Sequence, residues 1–161
     1  DRAEALAAAL DAQLPRAAAD AYEALRVVAG RPRWGRDYDA SHFPQETGLE
    51  AEAVDYDKGC YLGQEVVARI HFRGGVQRGL RGLRLDPHAR AVPGDALQHD
   101  TRSVGTVGTV VVHPDHGRIA LAVVHQRAWD ADGPLTVTAA DGLAAHGRAS
   151  IAPLPFAPAD G

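Results

Sequence analysis

The sequence predicts an α+β protein, with a helical and irregular part over residues 1–75 and a small antiparallel β unit over residues 76–161. Three observations carry that expectation. Leu6 and Leu10 stand at i and i+4 in an alanine-rich opening, which is helical spacing. Residues 31–57 are broken by Pro32, Gly35, Pro44 and Gly48, residues that punctuate turns and loops. From Val76 onward, short runs of valine, leucine and threonine alternate with turn clusters.

Taken in order, residues 2–13 read as a first helix that Pro15 ends. A second helix spans about Ala18 to Val27 and stops at Gly30, with Tyr22, Leu25 and Val28 expected to face the core. The loop that follows collects Asp37, Asp39, Glu46, Glu50, Glu52, Asp55 and Asp57. Their spacing matches no EF-hand, so most of them read as solvated acids. Trp34 and Tyr38 read either as one wall of a ring-binding pocket or as core anchors. A short helix is expected from Leu62 to Ile70, with Val66, Val67 and Ile70 on one apolar face. Strands are expected near 77–85, 95–99, 102–113, 117–126, 134–139 and 146–152. Pro93-Gly94-Asp95, Pro114-Asp115-His116-Gly117, Asp132-Gly133-Pro134 and Asp141-Gly142 separate them. That many short strands read as a barrel or a sandwich, and Gly105 and Gly108 within one strand suggest bulges or tight bends.

Composition excludes several classes of function. At 161 residues, 45% hydrophobic and 24% charged, the chain has the profile of an ordinary globular protein. A net charge of −4 gives no electrostatic case for direct nucleic-acid binding. No apolar run suits a membrane span. One cysteine excludes an internal disulfide and fits a reducing, cytoplasmic setting. Methionine is absent and the chain starts at Asp1, which reads as a fragment or a processed product. His113 and His116 bracket a turn with no second pair of ligands, so no metal site is expected.

The chemistry concentrates in Asp57-Lys58-Gly59-Cys60-Tyr61-Leu62-Gly63-Gln64-Glu65. This stretch holds the only cysteine and, among 17 basic residues, the only lysine. Gly59 and Gly63 let the backbone turn sharply around Cys60. A thiol just before a helix N-terminus, with an ammonium nearby, is biased toward the thiolate that nucleophiles and metal ligands require. A buried structural cysteine in a tight turn is the competing reading. Beyond it lies a basic run of Arg69, His71, Arg73, Arg78, Arg81 and Arg84, suited either to an anionic ligand or to an exposed polar face.

The run Lys58 to Glu65, followed by Val66-Val67-Ala68-Arg69 and His71-Phe72-Arg73-Gly74, resembles the signature of the YgfZ family. That family comprises folate-binding relatives of the glycine-cleavage T-protein, an aminomethyltransferase. Ala24 to Pro32, Phe43-Pro44-Gln45-Glu46, Gly74, Arg78, Leu80 and Pro153-Leu154-Pro155 extend the likeness, from about Ala21 onward, to the C-terminal portion of the family. The resemblance implies a T-protein-like folate-binding fold ending in a β-barrel. It implies a role with tetrahydrofolate in assembling or repairing iron–sulfur clusters of client proteins, and through them in tRNA modification. Its implied site contains Lys58 and Cys60 as reactive groups, with Gly59, Tyr61, Gly63, Gln64 and Glu65 flanking them toward the cofactor; Arg69 and Arg73 of the basic run are expected to meet that cofactor's anionic tail. Two other readings stand beside it: a tetrahydrofolate-dependent aminomethyl transferase, and a non-catalytic interaction module with a structural cysteine. One departure is visible. The T-protein pattern places a pterin-holding glutamate before its central glycine, whereas Arg26-Val27-Val28-Ala29-Gly30 has Val28 there, which accepts no hydrogen bond from a pterin.

Overall fold

In the computed structural model, which describes residues 1–157, six antiparallel strands close into a barrel and the helical part packs on its outside. The last four residues of the expected β unit lie outside the described residues. The strands are β1 Arg78–Leu85, β2 Ala96–His99, β3 Arg102–His113, β4 Gly117–His125, β5 Leu135–Thr138 and β6 Ala145–Ala152. They neighbour one another in the order β1-β4-β3-β2-β5-β6, and β6 returns to β1 to complete the ring. The expected strands thus form, and closure rather than a two-sheet stack removes the exposed edges.

Alternation along β4 explains how a short strand serves two cores. Ala120, Ala122 and Val124 point into the barrel with Leu83, Leu85, Leu97, Leu135 and Val137. Ile119 and Leu121 point out, where they pack with Val27, Leu80, Ala152 and Phe156. Gly108 lies in the β3 bulge between Val107 and Val110, and a Cβ there would sit 2.5 Å from the Asp37 carboxylate. Gly105 adjoins a second bulge, opposite the end of β2.

The helices are α1 Arg2–Asp11, α2 Ala19–Val28, α3 Glu50–Ala53 and α4 Gln64–Arg69. Asp1 caps α1 in a reciprocal capping box with Glu4, yet α1 buries no residue. The expected face of α2 is corrected: Tyr22 and Leu25 are 62% and 64% exposed, and the helix buries Arg26 and Val27 instead. The reason lies in Arg26, whose guanidinium donates to Asp37 at 2.8 Å, to Thr109 Oγ1 on β3 at 2.5 Å, to Glu23 at 2.6 Å and to the Arg31 carbonyl at 2.9 Å. Turning the helix to satisfy this cation rotates its large apolar side chains outward.

The acidic loop is corrected in the same way at two positions. Asp37 and Glu46 are buried rather than solvated. Asp37 also accepts from the Thr109 and Arg33 backbone N–H groups at 2.7 and 2.8 Å, so its charge is fully partnered. Glu46 takes Arg78 at 2.7 Å and the Phe43 N–H at 2.8 Å, joining a 3₁₀ turn at Pro44–Glu46 to β1.

Two substitutions test these layers in urea denaturation. Leu83→Ala empties part of the barrel core and is expected to cost about 2–5 kcal/mol. Arg26→Met leaves the Asp37 carboxylate buried without its cation and is expected to cost about 3–5 kcal/mol. As a control, Arg16→Ala, which removes an exposed pair with Asp11, is expected to leave the urea midpoint nearly unchanged.

Candidate functional site

The motif forms the loop between α3 and α4. It leaves α3 through Val54 and turns at Asp55, whose side chain accepts from the Asp57 N–H at 2.9 Å. It reaches α4 through Gly63 at φ 89°, a left-handed conformation that suits glycine. That turn sets the helix start at Gln64 rather than Leu62. Cys60 therefore lies three residues ahead of Gly63, the residue that caps α4.

Cys60 is exposed, and among the described residues its sulfur has no hydrogen-bond partner. The Lys58 ammonium lies 4.6 Å from the centre of the Tyr61 ring, a cation–π contact that directs the lysine to the phenol face. Gly59, Gly63 and Glu65 are exposed, while Tyr61 and Gln64 are half-buried. The expected apolar face of α4 is shallow: Val67 and Ile70 are partly buried and Val66 is exposed.

Behind the loop stands a polar and aromatic cluster that sequence reasoning did not single out. The Tyr56 hydroxyl donates to Glu50 Oε1 at 2.6 Å, and His71 Nδ1 approaches the same oxygen at 2.8 Å. The rings of Tyr56 and His71 stack with centres 3.9 Å apart, and Phe72 meets both edge-on. Gln45 Nε2 donates to the Tyr56 oxygen and to the Val67 carbonyl, each at 3.0 Å. The Tyr56 bond holds the Glu50 carboxyl below its ordinary range, with His71 adding to the effect. Burial, and then Glu50, push the Tyr56 phenol up. His71 and Phe72 lie on a π-helical turn, Ile70–Gly74, that extends α4. The visible signal for this cluster was the His71-Phe72-Arg73-Gly74 tail of the motif.

The basic run does not converge. Arg69 and Arg73 are exposed beside the motif, and among the described residues neither makes an ion pair. Arg78 is committed to Glu46 and to the Ser41 carbonyl. Arg81 stacks on Trp129 at 3.7 Å, where burial lowers its pKa, and Arg84 lies over Phe156. Trp34 and Tyr38 meet edge to face at 5.5 Å, with Trp34 exposed. Tyr38 lines a cleft of about 510 Å³ between its loop and β3, together with His42, Arg78, His125 and Arg127. A second cleft of about 590 Å³ runs past Gly30, Arg31, Gly48, Glu52, Arg81 and Leu154. Lys58 and Cys60 line neither cleft.

The position expected to hold a pterin does not fit one. Val28 packs its side chain against the apolar cluster of Val27, Leu80, Ile119 and Leu121, and its carbonyl accepts from the Phe156 N–H at 2.9 Å. An aliphatic group there offers nothing to the amino and ring N–H donors of a pterin. Among the described residues, no three His, Cys, Asp or Glu side chains gather as a metal site would require, and no helix is long and apolar enough to cross a membrane.

No family model matches the chain. It is 36% identical over 121 residues to the tRNA-modifying protein YgfZ of Enterobacter sp. (strain 638), covering 71% of this chain and 36% of that protein. It is 34% identical over 143 residues to the protein of the same name from Serratia proteamaculans, covering 84% and 41% respectively. A putative chloroplastic transferase of Arabidopsis thaliana is 30% identical over 118 residues, covering 73% and 27%. The chain therefore spans about two fifths or less of the length of these curated relatives. Among solved structures, the glycine cleavage system aminomethyltransferase T of Bartonella henselae superposes with a TM-score of 0.69 at 22% identity, over 85% of this chain and 38% of that one. With the Lys58–Glu65 motif displayed on a loop beside a closed barrel of that fold, the chain belongs to the YgfZ family.

Proposed function

We propose that this chain carries the working thiol of a factor that supports iron–sulfur proteins and, through them, tRNA modification. The observation that carries the reading is the placement of Cys60, the one cysteine of the chain, exposed on the motif loop. A structural cysteine earns its place by burial among apolar side chains, and Cys60 has no such surroundings. Thiolate is a soft donor with affinity for iron and for sulfur species, and a loop is the usual place to present such a group to a partner. The name of these relatives, tRNA-modifying protein, supports the link to tRNA. The partners in this reading are iron–sulfur client proteins or their assembly factors, met through Cys60 and Lys58.

Tetrahydrofolate enters this reading through the family alone. Because Val28 does not fit a pterin, no step is assigned to folate in this segment. Gly59, Tyr61, Gly63, Gln64 and Glu65 shape the thiol loop, and Arg69 and Arg73 offer exposed cations beside it for an anionic group. The same reading divides the chain near residue 75, into a part that presents the thiol and a barrel that carries it.

Rescue tests the proposal. In cells lacking the gene product that contains this chain, wild type is expected to restore an iron–sulfur enzyme that makes methylthio-modified tRNA. Cys60→Ala, expressed to the same level and equally stable, is expected to restore less than about a tenth of that activity. Full rescue by Cys60→Ala would return Cys60 to a packing role.

A further inference from the structure

We propose that Gln45, Glu50, Tyr56 and His71 form a clamp that closes the Cys60 loop and fixes how its thiol is presented. The topology of the contacts carries this inference. Tyr56 is the last residue before the motif, whereas Val67 and His71 follow it. Gln45 bridges the two sides by donating to the Tyr56 oxygen and to the Val67 carbonyl. Glu50 bridges them a second time, because one of its oxygens serves both the Tyr56 hydroxyl and His71 Nδ1. Stacking of Tyr56 on His71 is a third tie between the same two sides.

The direction of the hydrogen bonds follows from the partners. A carboxylate only accepts, so His71 presents Nδ1–H to Glu50 and its tautomer is set. Tyr56 donates its proton to Glu50 and accepts from Gln45, so its single donor is committed to the carboxylate. Both Gln45 bonds are made by Nε2, while its Oε1 is buried without a hydrogen-bond partner among the described residues.

Exposure argues for a local role rather than a share in global stability. The Glu50 and His71 side chains are 33% and 41% exposed, and ion pairs at that depth add little to folding. What the cluster does is shorten the loop. Seven residues, 57 to 63, are held between fixed posts, and the Lys58–Tyr61 contact lies within that span. These four residues are positioning residues: none of their hydrogen bonds goes to Cys60, and they act through the backbone that carries it.

Backbone ¹⁵N relaxation on the whole chain tests the clamp. Residues 57–63 are expected to show order parameters near 0.8 in wild type and below about 0.6 in Gln45→Ala and His71→Ala, with melting temperatures nearly unchanged. Glu50→Gln, whose amide oxygen still accepts both bonds, is expected to keep most of the order that Glu50→Ala loses. A pH profile adds a readout that packing alone would not move. The charged and titratable groups facing Glu50 are Tyr56 and His71, with Tyr61 and Lys58 beyond them. Glu50 titrates below its ordinary range when folded, so loop order should persist as pH falls through that range and be lost only beneath it. Glu50→Gln should lack that step. Unchanged order parameters in Gln45→Ala and His71→Ala would overturn the clamp.

The biological consequence rests on Cys60 being the working thiol, and the two ideas fail separately. Loss of rescue in His71→Ala together with Cys60→Ala supports both. Full rescue by Cys60→Ala sinks the thiol reading, while the relaxation data still decide the clamp.

Discussion

The molecule depends on one buried cation. Arg26 reaches from α2 to Asp37 in the loop and to Thr109 on β3, partners 11 and 83 residues away in sequence. A buried guanidinium and carboxylate lose much hydration, and they are tolerable only when every donor and acceptor is used. Here they are nearly all used: Arg26 serves Glu23, Asp37, Thr109 and a carbonyl, and Asp37 receives Arg26 and two backbone N–H groups. Such a network specifies one arrangement. A slip of β3 by one residue would take Thr109 away from both Arg26 and Asp37, and would leave charges without partners.

From that joint the rest follows outward. With α2 fixed, Val27 seals the outer apolar cluster against β1 and β4, and the loop after it is pinned again where Glu46 holds Arg78 on β1. The 3₁₀ turn that carries Glu46 also carries Gln45, so one short segment faces the barrel with an acid and the motif loop with an amide. The frame ends there. Beyond it the backbone turns outward, the side chains become exposed, and the thiol stands at the surface. On the proposed function, stability and chemistry are thus separated in space, with the thiol on an exposed loop and the packing in the barrel and its outer cluster.

Much of this was legible in the sequence, and what was missed shares one cause. The strands were readable because alternation and turn residues are local signals: the expected 102–113 and the observed Arg102–His113 coincide. The glycines of β3 announced its bulges for the same reason. The motif identified the thiol loop because the run is specific in itself. The face of α2 was misread because periodicity counts apolar residues and gives no weight to an arginine whose partners are remote. Asp37 and Glu46 were grouped with solvated acids because their cations lie in other elements. Local pattern revealed the elements, while long-range pairing of charges decided their orientation.

The account stands on a thiol that is free to react while the frame beneath it stays folded. Alkylation of the single cysteine measures this directly, by comparing the rate for the native chain with that in concentrated urea at the same pH. The account predicts native reaction within a few-fold of the unfolded rate, at concentrations of reagent that leave the far-ultraviolet spectrum intact. A native rate suppressed a hundredfold or more would show a buried Cys60, and would contradict it.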